Sequence, residues 1–439
     1  MSYKMQEGIY YRSKPPIGNA FCIITLRVAN SSDIIEIGNA LASIWNQLSR
    51  LKDGITPDLN IDLKHRRKGN LSTLIAYGSN IFDLIGSKKI KPASYSDNWK
   101  FKIPDLRGGG NILEGATLTY SPKIVENHLL FDHVLFQFIA DTEFYTNRAA
   151  VEIWKELHKQ ESVFGRSPLR IMGFYQGFQR ADQRNWLGFH DGLSNLKSHE
   201  RSQVITIDPN YLVSEDKWMS YGTYLTFMRI AIDLEKWQDT KVIEQEKIIG
   251  RKKLSGCPLI GIDKNGIPIK QAGCPIQGTS EVIDRGNEHF REHPRYGTGR
   301  EDDALQYSHI GRTRPFDSVP LLDRKSLRIY RQGFEFLVPT DEYPGIMAGL
   351  NFVSFQSTPE RVFRSLTYQT REGRMKREFA VTQGLDNFLS VWAAGTFLVP
   401  PVARDEEFPG AAIFFSNRKM KNLDRSPRQS INTARRQIS

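Results

Sequence analysis

The chain has 439 residues, a hydrophobic fraction of 39%, 11% aromatics and a formal net charge of +11. That length predicts two or three domains with room for large apolar cores. Three cysteines (Cys22, Cys257 and Cys274) exclude a disulfide framework, and the lack of any Cys-x-x-Cys pair argues against a structural zinc site. Ala20–Val28 reads as a strand, with apolar Phe21, Ile23, Ile24, Leu26 and Val28. Asp33 then caps a helix to about Leu48, whose buried stripe is Ile34, Ile35, Ile37, Leu41 and Ile44. The basic cluster Lys64-His65-Arg66-Arg67-Lys68 falls in a loop. Leu71–Ala76 is a second strand, Leu129–Ala140 a third, Thr142–His158 a second helix and Arg170–Phe174 a fourth strand.

The second half repeats this order. Thr223–Leu234 alternates as a strand, Glu235–Arg251 reads as a helix, and Leu327–Phe336 and Gly349–Phe355 are strands. Thr358, followed by Pro359 and Glu360, opens a helix to about Tyr368 as N-cap with Pro at the first helical position. Gly395–Val399 closes the series. Each half spells β-α-β-β-α-β, the ferredoxin-like order. The fold class is therefore α+β: two ferredoxin-like halves with antiparallel sheets and peripheral helices. The expected division is 1–215, 216–410 and a basic tail, 411–439. Two long Gly/Pro-rich or polar insertions, about Tyr77–Tyr120 and Lys253–Asp303, interrupt the pattern.

The stretch Arg418–Ser439 holds seven Lys/Arg and one Asp, so more than half of the excess charge sits in a segment poor in apolar residues. Solvation explains such a run, and capture of an anionic partner is the sharper reading. No nucleic-acid motif accompanies the charge, so no specific nucleic-acid partner is expected. The opening Met-Ser-Tyr-Lys-Met-Gln-Glu-Gly has no apolar signal region, and no apolar run nears the roughly 18 residues of a spanning helix. The expectation is a soluble, cytoplasmic protein without a membrane partner. A Cys257–Cys274 bridge stays open, with free thiols expected.

Three short stretches carry candidate chemistry. Gly188-Phe189-His190-Asp191-Gly192 places an acid between two glycines, after Trp186-Leu187. Read alone, its Asp-Gly step is what a tight turn asks for. Tyr307-Ser308-His309-Ile310-Gly311-Arg312-Thr313-Arg314-Pro315 sets one of nine histidines in a distinctive context. A structural histidine is the plain alternative. Leu327-Arg328-Ile329-Tyr330-Arg331-Gln332-Gly333 offers two arginines three apart, which a regular strand places on opposite faces. Two surface arginines on an edge strand is the plain reading there.

Taken in this order, the three stretches resemble the dye-decolorizing peroxidases, a haem enzyme family. Gln6-Glu7-Gly8-Ile9, Gly222-Thr223-Tyr224-Leu225, Gly349-Leu350-Asn351-Phe352 and Gly395-Thr396-Phe397-Leu398-Val399-Pro400 extend the resemblance from about Gln6 to Pro409. It implies a peroxidase with haem b in the C-terminal half, acting on hydrogen peroxide and an organic electron donor such as a dye or phenol. Asp191 inherits the acid that moves peroxide's proton. Arg331 inherits the cation that steadies the departing oxygen. His309 inherits the iron ligand, Arg312 a contact to a haem propionate, and Asp386 the acid bonded to the ligand histidine. The chain departs from the family at Gly311, where a basic residue is usual, and at Leu196, where proline usually follows the asparagine. A haem-binding protein or specialised haem oxidase without general peroxidase activity is the alternative. A homo-oligomer is compatible with either.

Overall fold

A computed structural model describes residues 3–9, 19–29, 33–55, 69–84, 119–120, 129, 132–182, 184–190, 195–196, 198–212, 214–256, 259, 308–309, 328–341, 343–359, 361–362 and 385–415. Strand β1 (Tyr3–Lys4) is followed by β2 (Ala20–Val28), α1 (Ile34–Lys52), β3 (Ser72–Gly78), α2 (Ile81–Leu84), β4 (Thr119–Tyr120), β5 (Val134–Ala140), α3 (Glu143–Phe164) and β6 (Leu169–Phe178). After α4 (Ser198–Ile205) come β7 (Thr223–Ile232), α5 (Leu234–Asp239), α6 (Val242–Ile249), β8 (Tyr330–Pro339), β9 (Ile346–Gln356), β10 (Leu389–Val399) and β11 (Val402–Ala403).

The expected β2 is reproduced residue for residue. Helix α1 begins where expected because Asp33 and Glu36 form a reciprocal capping box, in which each side chain accepts from a backbone N–H. The third strand is shorter than the apolar run suggested. It starts at Val134, because Asp132 and His133 before it are taken by other bonds: Asp132 pairs with Arg27 at 2.9 Å, and His133 Nδ1 accepts from the Val28 amide at 3.3 Å. The single helix expected over Glu235–Arg251 is two helices, α5 and α6. The Trp237 carbonyl accepts from the Thr240 amide at 3.2 Å and from Gln245 Nε2 at 2.7 Å, which ends α5 and stands in for the missing helical bonds. Of the helix expected from Thr358, the described residues 359, 361 and 362 are helical. The remainder of that helix, the cluster Lys64–Lys68, Cys257, Cys274 and the tail from Arg418 lie outside the described residues.

The strand order is β3-β5-β2-β6 in the first half and β8-β9-β7-β10 in the second, all pairs antiparallel. Both are the ferredoxin-like order, two copies of one arrangement. The expectation of separate sheets is modified in one respect: the halves join into one. Phe178 pairs Glu335 between β6 and β8, and Phe397 and Leu398 pair Gly78 and Tyr77 between β10 and β3. The eight long strands thus close on themselves. Gln6 reinforces the second seam, since its Nε2 donates to the Ile75 and Pro400 carbonyls at 2.9 and 2.8 Å.

Closure gives the sheet an inside and an outside. Phe21, Ile23, Leu74, Leu135, Tyr175, Leu225, Phe227, Phe334, Val353 and Phe397 fill the inside. Outside the first half, the alternate residues Cys22, Ile24, Leu26, Phe136 and Phe138 are covered by Ile37, Leu41, Ile44, Ala149 and Ile153 of α1 and α3. Outside the second half, register aligns three rows across β8, β9, β7 and β10. They are Arg331-Ser354-Thr226-Thr396, Gly333-Phe352-Met228-Ala394 and Glu335-Leu350-Ile230-Val391.

Candidate active site

Residues 184–190 form a tight hairpin. Arg184 and His190 face each other across an antiparallel bridge, the Asn185 amide donates to the Phe189 carbonyl at 2.9 Å, and the Gly188 amide donates to the Asn185 carbonyl at 2.8 Å. Gly188 turns the chain at φ 86°, a left-handed value that glycine adopts without strain. The hairpin is docked at its tip. Trp186 donates its amide to Glu335 Oε2 at 3.1 Å and its indole N–H to the Phe336 carbonyl at 2.9 Å, so it rests on β8. Trp237 donates its indole N–H to the Leu187 carbonyl at 3.1 Å. Leu187 and Phe189 are buried with Trp237, Ile249 and Phe388.

Five residues past the hairpin, Asn195 holds Arg331. Its Nδ2 donates to the Arg331 carbonyl at 2.6 Å, and its Oδ1 accepts from the Arg331 amide at 3.1 Å. Arg331 heads the first row on the outer face of β8. Arg328 does not obey the alternation expected of it, because β8 begins only at Tyr330 and Arg328 lies before the strand. It stays close to Arg331: burial and then the Arg331 charge push its guanidinium below the usual value, while Glu200 opposes the shift. The Arg328 carbonyl accepts from Nη1 of the buried Arg361 at 3.3 Å. Two half-buried guanidinium groups at the start of β8 make this end of the strand positively charged.

The other expected residues are placed as follows. His309 is half-buried and follows the buried Ser308. The backbone of Asp386 belongs to a 3-10 turn, Leu385–Phe388, whose Phe388 meets Trp237 edge-on with ring centroids 5.0 Å apart. That turn and the 184–190 hairpin therefore share one small core. Asp191 and Arg312 lie outside the described residues, as does Gly311. Sequence reasoning gave no role to Asn195, Arg184 or Ser354. For Asn195 the signal was its place just after the Gly-x-x-Asp-Gly stretch; for the other two there was none.

The outer face of the second half fits haem. Ser354 is fully buried and its Oγ has no hydrogen-bond partner among the described residues, although it stands directly beside Arg331. An unpartnered buried hydroxyl costs about 1–3 kcal/mol unless something else completes it. The next row, Gly333-Phe352-Met228-Ala394, is apolar. An apolar middle with Arg328 and Arg331 at one edge suits a flat apolar ring that carries carboxylates and takes a small polar ligand.

The chain is similar to known proteins in sequence and in fold. The family model described as "Dyp-type peroxidase, C-terminal" matches residues 182–404. The chain is 26% identical over 361 residues to "Deferrochelatase" of Yersinia pseudotuberculosis, covering 80% of this chain and 68% of that protein. It is 24% identical over 234 residues to the protein of that name in Escherichia coli (strain K12), but the match covers only 45% of that relative's length. A 92-residue stretch, 21% of this chain and 25% of that protein, is 34% identical to "Dye-decolorizing peroxidase" of Mycobacterium tuberculosis. In fold, the chain is similar to ferric DtpA from Streptomyces lividans (TM-score 0.66, 20% identity, 93% of this chain and 97% of that one). It is also similar to a Rhodococcus jostii DypB variant in complex with heme (TM-score 0.54, 15% identity, 90% and 96%). The family match spans just over half of the sequence, and the chain belongs to the Dyp-type peroxidase family of haem-dependent enzymes that act on peroxide.

Proposed function

We propose that the chain uses haem b to reduce hydrogen peroxide and oxidises an organic donor of the dye or phenol kind. The observation that carries this reading is the bonding of Asn195 to Arg331. Asp191 stands one residue after His190 and four before Asn195, and both of those residues are held. Asp191 is thus flanked in sequence by held residues, and Arg331 sits at one end of β8. Bound haem supplies a redox-active iron at which peroxide is reduced and to which donors return electrons. His309 would hold that iron through its imidazole, Asp386 would accept the ring's other N–H, and Arg312 would meet a propionate. Asp191 takes the proton from peroxide and returns it to the departing oxygen. Arg331 orients peroxide and offsets the charge on that oxygen.

A spectrum of the haem-supplied protein beside His309→Ala tests the cofactor assignment. The expected result is a Soret band in the parent that is lost or displaced in the variant. Asp191→Ala and Arg331→Leu should keep the band and lose about 10²-fold or more in peroxide turnover. Full turnover in both variants would remove the two distal assignments.

The name Deferrochelatase, carried by the Yersinia and Escherichia relatives, favours a second reading. In it the chain binds haem without general peroxidase activity and acts on the haem or its iron. Release of metal-free porphyrin, with no oxidation of phenols or dyes under peroxide, would select that reading.

A further inference from the structure

The hairpin that ends one residue before Asp191 is fastened to a distant turn by two of its side chains, Arg184 and His190. Arg184 donates from Nη1 to the Gly188 carbonyl and to the Lys253 carbonyl, both at 2.7 Å, and from Nη2 to the Leu254 carbonyl at 2.9 Å. His190, across the bridge from Arg184, sets its Nε2 3.2 Å from the same Leu254 carbonyl. The turn is itself braced. Buried Arg251 donates to the Gly256 carbonyl at 2.8 Å, Glu246 Oε1 accepts from the Lys253 amide at 2.9 Å, and Lys253 Nζ donates to Gln245 Oε1 at 2.6 Å. Gln245 holds the Trp237 carbonyl, and Trp237 holds Leu187. The hydrogen bonds close a ring from hairpin to turn to α6 to α5 and back to the hairpin. The contact is tight: a Cβ at Gly188 would come 2.5 Å from Lys253 Cε.

We propose that Arg184 is a positioning residue for the peroxide reaction, fixing the hairpin up to His190, the residue next before Asp191 in sequence. The inference rests on Asp191 being the proton-transferring acid. Without the guanidinium the hairpin keeps its own backbone bonds and its Trp186 anchor on β8. It also keeps the Trp237 bond to Leu187 and the His190 contact with Leu254, but loses the two guanidinium bonds to the Lys253 and Leu254 carbonyls, so its far side is held more loosely. An error of about 1 Å in a reacting group costs about 10²-fold in rate, so the fold survives a loss that the chemistry does not.

The test uses the haem-loaded full chain as Arg184→Gln, Arg184→Lys and Asp191→Ala. For Arg184→Gln the expected result is an unchanged Soret band and a cooperative unfolding transition lowered by about a few degrees at most. Its kcat/KM for peroxide should fall by about 10- to 100-fold. Hydrogen exchange at the Gly188 and Phe189 amides should quicken. Arg184→Lys keeps the charge but not the fork, so it should recover part of the rate; it also carries the test if the glutamine variant does not fold. Wild-type turnover in Arg184→Gln, with Asp191→Ala inactive, would overturn the positioning role and leave the acid assignment standing. Loss of haem uptake in parallel with turnover would make Arg184 a structural residue only, against the proposal. Undiminished turnover in Asp191→Ala would overturn both.

Discussion

Asn195 acts toward Arg331 as a neighbouring strand would. Its side-chain amide donates to the Arg331 carbonyl at 2.6 Å and accepts from the Arg331 amide at 3.1 Å, across 136 residues of sequence. Among the described pairings, β8 meets β9 along its length but β6 only at Glu335, so the backbone of Arg331 on the far side needs another partner. One asparagine supplies both halves of it.

Asn195→Ala should therefore destabilise the fold by about 1–3 kcal/mol, the cost of leaving such groups unsatisfied. Asn195→Asp keeps the acceptor but sets a carboxylate against the Arg331 carbonyl, so it should not restore stability. Denaturant titration of both variants checks this. Equal stability of wild type and Asn195→Ala would mean that solvent replaces the two bonds.

A second polar chain joins the halves inside the closed sheet. Arg229 is buried over the Phe336 ring at 3.7 Å and donates to Asn351 Oδ1 at 3.1 Å, while Asn351 Nδ2 donates to the Gln176 carbonyl at 2.8 Å. Burial pulls the Arg229 guanidinium down to about 10, still charged at neutral pH. Asn351→Leu leaves that charge without its acceptor and should cost about 3–5 kcal/mol. Arg229→Met fills similar volume with no charge and should cost less, and adding it to Asn351→Leu should recover stability. A double-mutant cycle on unfolding free energy reads the difference.

Glu406 gives the fold a pH dependence of defined sign. Burial raises its carboxyl above the usual value of 4.5, although the Gly410 amide donates to it at 3.2 Å. The folded state then holds a proton that the unfolded state has released, between the unfolded value and the raised folded one. In that window this residue's contribution falls as pH rises. Glu406→Gln removes the charge and keeps an acceptor for Gly410. It should stabilise the protein at about pH 8 and do little at about pH 4. Melting temperatures at the two pH values test it, and an equal shift at both would reject the carboxyl as the source.

The α1 capping box offers a local control. Asp33→Ala removes the acceptor for the Ile35 amide while keeping the backbone N–H that Glu36 accepts from, at a cost of about 1 kcal/mol. Haem uptake should be unchanged, because the box lies in the first half, on the helix covering Cys22, Ile24 and Leu26. A fall in uptake at constant stability would contradict that separation.

The sequence by itself determined what depends on near neighbours. The apolar runs of Ala20–Val28 and Thr223–Ile232, the Asp33 cap, the duplicated β-α-β-β-α-β order and the three short stretches around Asp191, His309 and Arg331 are each legible from local sequence. Tertiary structure decided the rest. The break between α5 and α6 arises because Gln245 reaches back to the Trp237 carbonyl. Arg328 lies near Arg331 because β8 starts two residues after it, which no period-two count reveals. The closing of two sheets into one depends on Phe178–Glu335 and Phe397–Gly78, pairings of 157 and 319 residues' separation. The grip of Asn195 on Arg331 and of Arg184 on the Lys253–Leu254 turn are likewise long-range bonds of single polar side chains. Local propensity fixes the elements because adjacent dihedrals and side-chain spacing set it. The site waits on the folded chain, because its groups meet only after loop closure has brought distant segments into hydrogen-bonding range.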